Sequence, residues 1–134
     1  MEKLNLCNVL IFGLPGSGKT TFAHKLRFDK NCCYFNGDEI RSIFNEWGFE
    51  EIDRTNQAIR MQRLCEMSLK NCIVDFICPF ESFRTYYNIT VWMNTVKKSK
   101  YADTNQTFEK PEKVDYEINN FNYDKIVKEI RNGF

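Results

Sequence analysis

The chain is poor in the residues that build metal centres and disulfide frameworks. It has one histidine, His24, with no cysteine or carboxylate at ligand spacing beside it, and this residue reads as structural. Six cysteines, Cys7, Cys32, Cys33, Cys65, Cys72 and Cys78, lie mostly in apolar runs and form no C-x-x-C pair. That spacing argues against a zinc site or a disulfide frame and suits buried thiols in a reducing cytoplasm. Charge of one sign is also missing: 19 basic and 18 acidic residues leave a formal net charge of +1. A protein whose main work is coating nucleic acid needs a strong basic excess, so the balance argues against that class while leaving a small nucleotide or a single nucleic-acid end open. No apolar run is long enough to span a bilayer, and Met1-Glu2-Lys3 leads into the first apolar run with no room for a signal peptide. These absences lead us to expect a cytoplasmic protein that does not enter a membrane. With 134 residues and no repeat, linker or low-complexity stretch, residues 1–134 should form one domain.

What is present is concentrated at one place. Gly13-Leu14-Pro15-Gly16-Ser17-Gly18-Lys19-Thr20 fits G-x-x-x-x-G-K-[ST], a phosphate-binding loop. The run Leu6–Phe12 before it reads as a buried strand, and Thr20–Leu26 after it reads as a helix. Glycines let the backbone wrap a polyphosphate with its N–H groups turned inward, and the helix N-terminus adds partial positive charge. Gly13, Pro15, Gly16, Ser17, Gly18, Lys19, Thr20 and Thr21 are therefore the candidate ATP-binding residues. Lys19 would reach the β- and γ-phosphates, and Thr20 would offer its hydroxyl to Mg²⁺. A ligand-free strand-to-helix turn would not account for a lysine and a hydroxyl after the last glycine.

The rest of the chain alternates strands and helices. Strands are expected at Cys32–Asn36, Cys72–Ile77, Ile89–Met93 and Asp115–Asn119. Helices are expected from Asp38 through Ile40, Ile43 and Phe44 to a close near Trp47-Gly48, at Glu51–Leu69, at Glu81–Tyr87 and at Tyr123–Ile130. This order implies an α/β fold, a doubly wound parallel sheet flanked by helices, with ligands at the carboxyl ends of the strands. Lys97–Pro111 lacks apolar periodicity and reads as a loop or lid, in a lid region of about 95–114. In the long helix, Arg54 and Gln57 extend the inward stripe of Ala58, Met61 and Leu64, whereas Arg60 and Arg63 should project into solvent.

Several residues around the loop admit two readings. Asp38 could hold Mg²⁺ or accept the proton of an attacking hydroxyl, or it could simply cap a helix. Arg41, one turn on, is its candidate anion-binding neighbour. Asp75 could support Mg²⁺ or be a satisfied core carboxylate. Arg54 could contact a substrate anion or form a surface pair with Asp53. Trp47 and Phe49 are a base-stacking platform or a hydrophobic plug. Lys97, Lys98 and Lys100 are a solvated run or cations that a lid brings onto phosphate.

The motifs Gly13–Thr21, Asn36–Arg41, Gly48-Phe49 with Asp53-Arg54, Val74–Phe80 and Phe108–Glu112 resemble adenylylsulfate kinase in order and spacing over nearly the whole chain. The resemblance implies a single-domain P-loop kinase that transfers the γ-phosphate of ATP to the 3′-hydroxyl of adenosine 5′-phosphosulfate. It implies Lys19 and Thr20 on ATP and Mg²⁺, Asp38 at the attacking hydroxyl, Arg41 and Arg54 on the sulfonucleotide and Phe49 against its adenine. Ile77, Cys78, Pro79 and Phe80 fall on the family's Ile-Ser-Pro-Phe, Gln57 on the Asn after its Asp-Arg, and Tyr101 near its lid aromatic. Asn36 stands where the family's Asp-Gly-Asp begins. The family's Arg-Asp-x-Lys-Gly-Leu-Tyr-Lys-Lys stretch is replaced by the short Thr95–Lys100, so the chain resembles a short member with a truncated lid. Other acceptors compatible with the residues are another nucleotide, a modified base or a nucleic-acid end, and a catalytically weak nucleotide-binding module is a further class. The expected partner is a small-molecule nucleotide; the sequence leaves the oligomeric state open, a homodimer included.

Overall fold

A computed structural model describes residues 6–27 and 31–133; the Met1–Lys3 start lies outside them. Five strands, β1 (Asn8–Phe12), β2 (Cys33–Asn36), β3 (Cys72–Asp75), β4 (Ile89–Met93) and β5 (Tyr116–Ile118), form one sheet in the order β2-β3-β1-β4-β5. Every pairing is parallel. Six helices connect and follow them: α1 (Lys19–Arg27), α2 (Gly37–Phe44), α3 (Glu51–Met67), α4 (Glu81–Arg84), α5 (Ala102–Thr107) and α6 (Asp124–Asn132).

Both faces of the sheet are covered, because each strand alternates its side chains between two cores. Val9 and Ile11 point to the face where Phe22, Ala23 and Leu26 of α1 pack with Val127 and Ile130 of α6. Leu10 and Phe12 point to the other face, against Ile40 of α2 and Ala58, Met61 and Cys65 of α3. Each fully buried side chain of this size contributes about 1.5–3 kcal/mol. β1 is central, so the loop at its carboxyl end is held between the ends of β3 and β4. At Gly13 a Cβ would lie 2.6 Å from the Met93 carbonyl oxygen, and φ is +153°; only glycine fits between these strand ends.

Two local readings are corrected. The cap of α2 is Asn36, whose Oδ1 accepts from the Glu39 N–H at 3.0 Å, so Asp38 stands inside the first turn and does not cap the helix. The segment read as a loop contains α5, clasped by Asn105: its Oδ1 accepts from the Ser99 N–H at 2.9 Å and its Nδ2 donates to the Ser99 carbonyl at 2.8 Å. Side-chain bonding to backbone replaced the apolar periodicity that the sequence lacks there. Among the described residues no helix is long and apolar enough to cross a membrane.

Candidate active site

The carboxyl ends of β1, β2 and β3 open on a cavity of about 620 Å³, ample for a small ligand. Its floor is the phosphate loop. The loop is shaped by a Ser17 N–H bond to the Leu14 carbonyl and tied to the strand-4 side by Thr95 Oγ1, which donates to the Ser17 carbonyl at 2.7 Å. Pro15, Gly16, Gly18, Lys19, Thr20 and Thr21 line the cavity, whereas Gly13 and Ser17 lie behind them. Ser17 Oγ is buried and has no partner among the described residues. Lys19 Nζ donates to the Leu14 carbonyl at 3.1 Å and forms no ion pair among the described residues. Burial pushes Lys19 down to about 8, with the charges of Asp75 and Asp38 pulling the other way. An underused cation at a helix N-terminus fits a polyphosphate.

Beside it, Asp75 is 2 % exposed and collects three donors. Tyr34 Oη donates to Oδ2, Asn36 Nδ2 donates to Oδ1 at 3.1 Å, and Thr20 Oγ1 donates to Oδ1 at 3.4 Å. Burial raises the Asp75 carboxyl above its ordinary value, and these bonds with the Lys19 charge oppose the rise. Thr20 and Asp75 offer adjacent oxygen donors, with exposed Asp38 on the same cavity. Hard oxygen ligands of this kind suit Mg²⁺, which normally completes its shell with phosphate and water oxygens. No hydrogen bond or ion pair holds the Asp38 carboxylate among the described residues, though its charge is felt by both Lys19 and Arg41.

The far end of the cavity is cationic and aromatic. Arg41 Nη1 donates to the carbonyls of Gly48 at 2.8 Å and Glu46 at 3.2 Å. Arg54 Nε donates to the Phe49 carbonyl at 2.7 Å, and its Nη2 donates to Thr104 Oγ1 at 3.0 Å and Asp103 Oδ2 at 3.4 Å. Both guanidiniums approach the Phe49 ring, with Cζ at 5.0 and 5.4 Å from its centroid. Burial lowers both arginines, and Arg54 adds repulsion on Arg41. The reading of Arg54 as a surface partner of Asp53 is corrected: Asp53 Oδ2 accepts from the Glu50 N–H at 3.2 Å, capping α3, and Arg54 points inward.

Gln57 also lines the cavity and donates to the Gly37 carbonyl at 2.9 Å, which locks α3 to the start of α2. The expectation that Arg60 is solvated is not met: it donates to Gln57 Oε1 at 2.9 Å, pairs with Glu46 at 2.6 Å and stacks 4.2 Å over Phe44. Arg63 is exposed as expected.

Ile77, Cys78, Pro79, Trp47 and Tyr101 complete the wall. Phe80, just before α4, and Lys98, exposed, are not among the lining residues. Cys78 takes a left-handed φ of 46° and is 1 % exposed; burial pushes its thiol up to about 12, so it is a neutral wall residue.

Sequence reasoning missed the group that holds this wall. Arg84, 2 % exposed, donates to the carbonyls of Cys78 at 2.9 Å, Pro79 at 3.0 Å and Glu109 at 2.7 Å, and pairs with Glu81 at 2.6 Å. Its guanidinium Cζ approaches the rings of both Phe12 and Phe108, at 4.4 and 4.9 Å from their centroids. No local pattern marks a buried arginine. Asn36 did have a signal, since Asn-x-x-Glu before an apolar helix is a capping pattern.

The profile of the adenylylsulphate kinase family matches residues 5–100. A curated relative, the cytidine diphosphoramidate kinase of Campylobacter jejuni, is 26 % identical over 86 residues, which are 60 % of this chain and 50 % of that protein. The chain therefore spans about half the length of the curated relative it matches. Among solved structures, an adenylylsulfate (APS) kinase of Mycobacterium tuberculosis superposes with a TM-score of 0.72 at 18 % identity, covering 95 % of each chain. Shikimate kinase of Aquifex aeolicus superposes at 0.66 with 15 % identity, covering 94 % of each, which shows the shared P-loop kinase fold. With four of its five family motifs contributing residues to one cavity and the profile matching most of its length, this chain belongs to the adenylylsulphate kinase family.

Proposed function

We propose that the protein is an ATP- and Mg²⁺-dependent kinase that phosphorylates the 3′-hydroxyl of adenosine 5′-phosphosulfate. The observation that carries this reading is the unpartnered Asp38 carboxylate between two cationic groups, Lys19 on the phosphate loop and Arg41 at the far end of the cavity. The phosphate loop and Lys19 bind the triphosphate and take up charge developing on the γ-phosphoryl group. Asp38 accepts the proton of the attacking hydroxyl. Arg41 and Arg54 bind the acceptor nucleotide and hold it in line, with Phe49 and Tyr101 against its base, the region 95–114 serving as the lid. Thr20 and Asp75 would hold Mg²⁺, which would supply charge neutralisation at the transferring phosphate.

A second reading keeps the chemistry and changes the acceptor to a cytidine nucleotide with an amidated diphosphate. The named Campylobacter relative favours it. Incubating the protein with γ-labelled ATP, Mg²⁺ and each candidate acceptor decides between them. Label on adenosine 5′-phosphosulfate supports the first reading, label on cytidine diphosphoramidate the second, and transfer to neither overturns both.

A further inference from the structure

The acceptor end of the cavity carries one group that phosphoryl transfer does not need. Asp103 lines the cavity beside Arg54 and accepts from Arg54 Nη2 at 3.4 Å, yet its side chain is 67 % exposed. Sulfate and phosphate oxygens offer this carboxylate no hydrogen to accept and meet it as like charge, so its partner on a ligand is an N–H or O–H group. Asp103 is also held in position. Thr104, 2 % exposed, fixes the next residue on Arg54, Thr107 Oγ1 donates to the Asp103 carbonyl at 2.8 Å, and the Ser99–Asn105 clasp ties the segment leading into α5. A guanidinium donor and a carboxylate acceptor therefore stand side by side on one wall.

We propose that the Arg54–Asp103 pair recognises an –NH₂ group adjacent to a hydrogen-bond acceptor atom on the substrate, so that the phosphoryl acceptor is an amino-bearing nucleotide and Asp103 is a specificity-determining residue. The inference rests on the kinase reading above. Arg54 donates to the acceptor atom, and Asp103 takes the N–H. Two parts of a nucleotide carry that arrangement. One is the base edge of adenine or cytosine, an exocyclic amine beside a ring nitrogen, where a carboxylate can accept from the amine. The other is a terminal phosphoramidate, a nitrogen beside a phosphoryl oxygen. Uracil and hypoxanthine place a carbonyl where the amine would be, and an unamidated diphosphate places an oxygen there. Both would set a lone pair against Asp103.

The test is isothermal titration of the full chain, with Mg²⁺ and a non-hydrolysable ATP analogue bound, so that the readout does not depend on turnover. In the base arm, adenosine and inosine 5′-phosphosulfates are compared, and cytidine and uridine diphosphoramidates. In the terminal arm, cytidine diphosphoramidate is compared with cytidine diphosphate. The amino-bearing member of at least one arm should bind tenfold or more tightly, and Asp103→Asn and Asp103→Ser should each reduce that ratio toward unity with the ATP analogue still binding. The arm that responds identifies the recognised part. Equal affinities in both arms, or a preference that survives both substitutions, overturns the proposal. If the ATP analogue binds and none of the nucleotides does, the proposal falls and the kinase has another acceptor. If the analogue does not bind either, the kinase reading falls and takes the proposal with it.

Discussion

Asn36 donates its side-chain amide to the Asp75 carboxylate at 3.1 Å, and the same nitrogen lies 3.2 Å from Thr20 Oγ1. The end of β2 thus places a neutral donor between the residues assigned to the cation, while Asn36 Oδ1 caps α2. Asn36→Asp should keep the cap, since the two residues cap about equally well. It should also replace the donor by a second carboxylate beside Asp75. We expect a loss of about 1–3 kcal/mol of stability at neutral pH, largely restored by millimolar Mg²⁺. Thermal melts of both proteins with and without the cation check this, and equal Mg²⁺ responses would refute it.

Lys19 gives a pH signature. Its folded value of about 8 lies below the ordinary 10.5, so between these limits the unfolded chain binds more protons than the folded one. The contribution of this group to stability therefore rises with pH from about 8 to 10.5 and is flat below 8. Affinity for ATP should move the opposite way, falling as the ammonium is lost above 8. Lys19→Met should remove both slopes, which denaturant titrations and nucleotide binding across this pH range will measure.

Asp38→Asn tests the acid without disturbing a cap, because Asn36 holds that role. Turnover should fall by roughly two to four orders of magnitude, the range of general-base assistance, with ATP affinity nearly unchanged. Turnover near that of the unmodified protein would leave Asp38 without a catalytic role.

Arg84 does not line the cavity itself, yet its side chain holds Cys78 and Pro79, which do. Arg84→Met would strand the Cys78 and Glu109 carbonyls and the Glu81 carboxylate and should cost about 2–5 kcal/mol. Arg84→Lys should recover little, because an ammonium cannot span the forked set of partners or lie flat against the two rings. Acceptor affinity should weaken in both variants more than ATP affinity, a split that separate titrations would reveal.

The parts of the fold that were legible in sequence are those written locally. Ile89–Met93 matches β4, and the strand-loop-helix around Gly13–Thr20 follows from contiguous residues. Element ends shifted where side chains competed with the backbone pattern: α4 stops at Arg84 because that residue turns inward to hold carbonyls. The α5 segment was illegible, since an alanine and five polar residues, held by Asn105, carry no apolar period. Within the site, the residues of contiguous motifs were found, but Tyr34, Arg84 and Asp103 were not. Each acts on a partner distant in sequence, Asp75, Glu109 or Arg54, and only the tertiary fold brings those pairs together.

The central position of β1 also sets the order in which the molecule can acquire its binding loop. The loop is complete in sequence by residue 20, but β1 pairs only with β3 and β4, through contacts 64 and 80 residues downstream. Non-local parallel pairing of this kind is slow and must pay loop closure before contacts reward it. A nascent chain on the ribosome would therefore carry the whole phosphate motif without a nucleotide site until Met93 has emerged, and its apolar first strand would stay unpaired and exposed to aggregation for that interval.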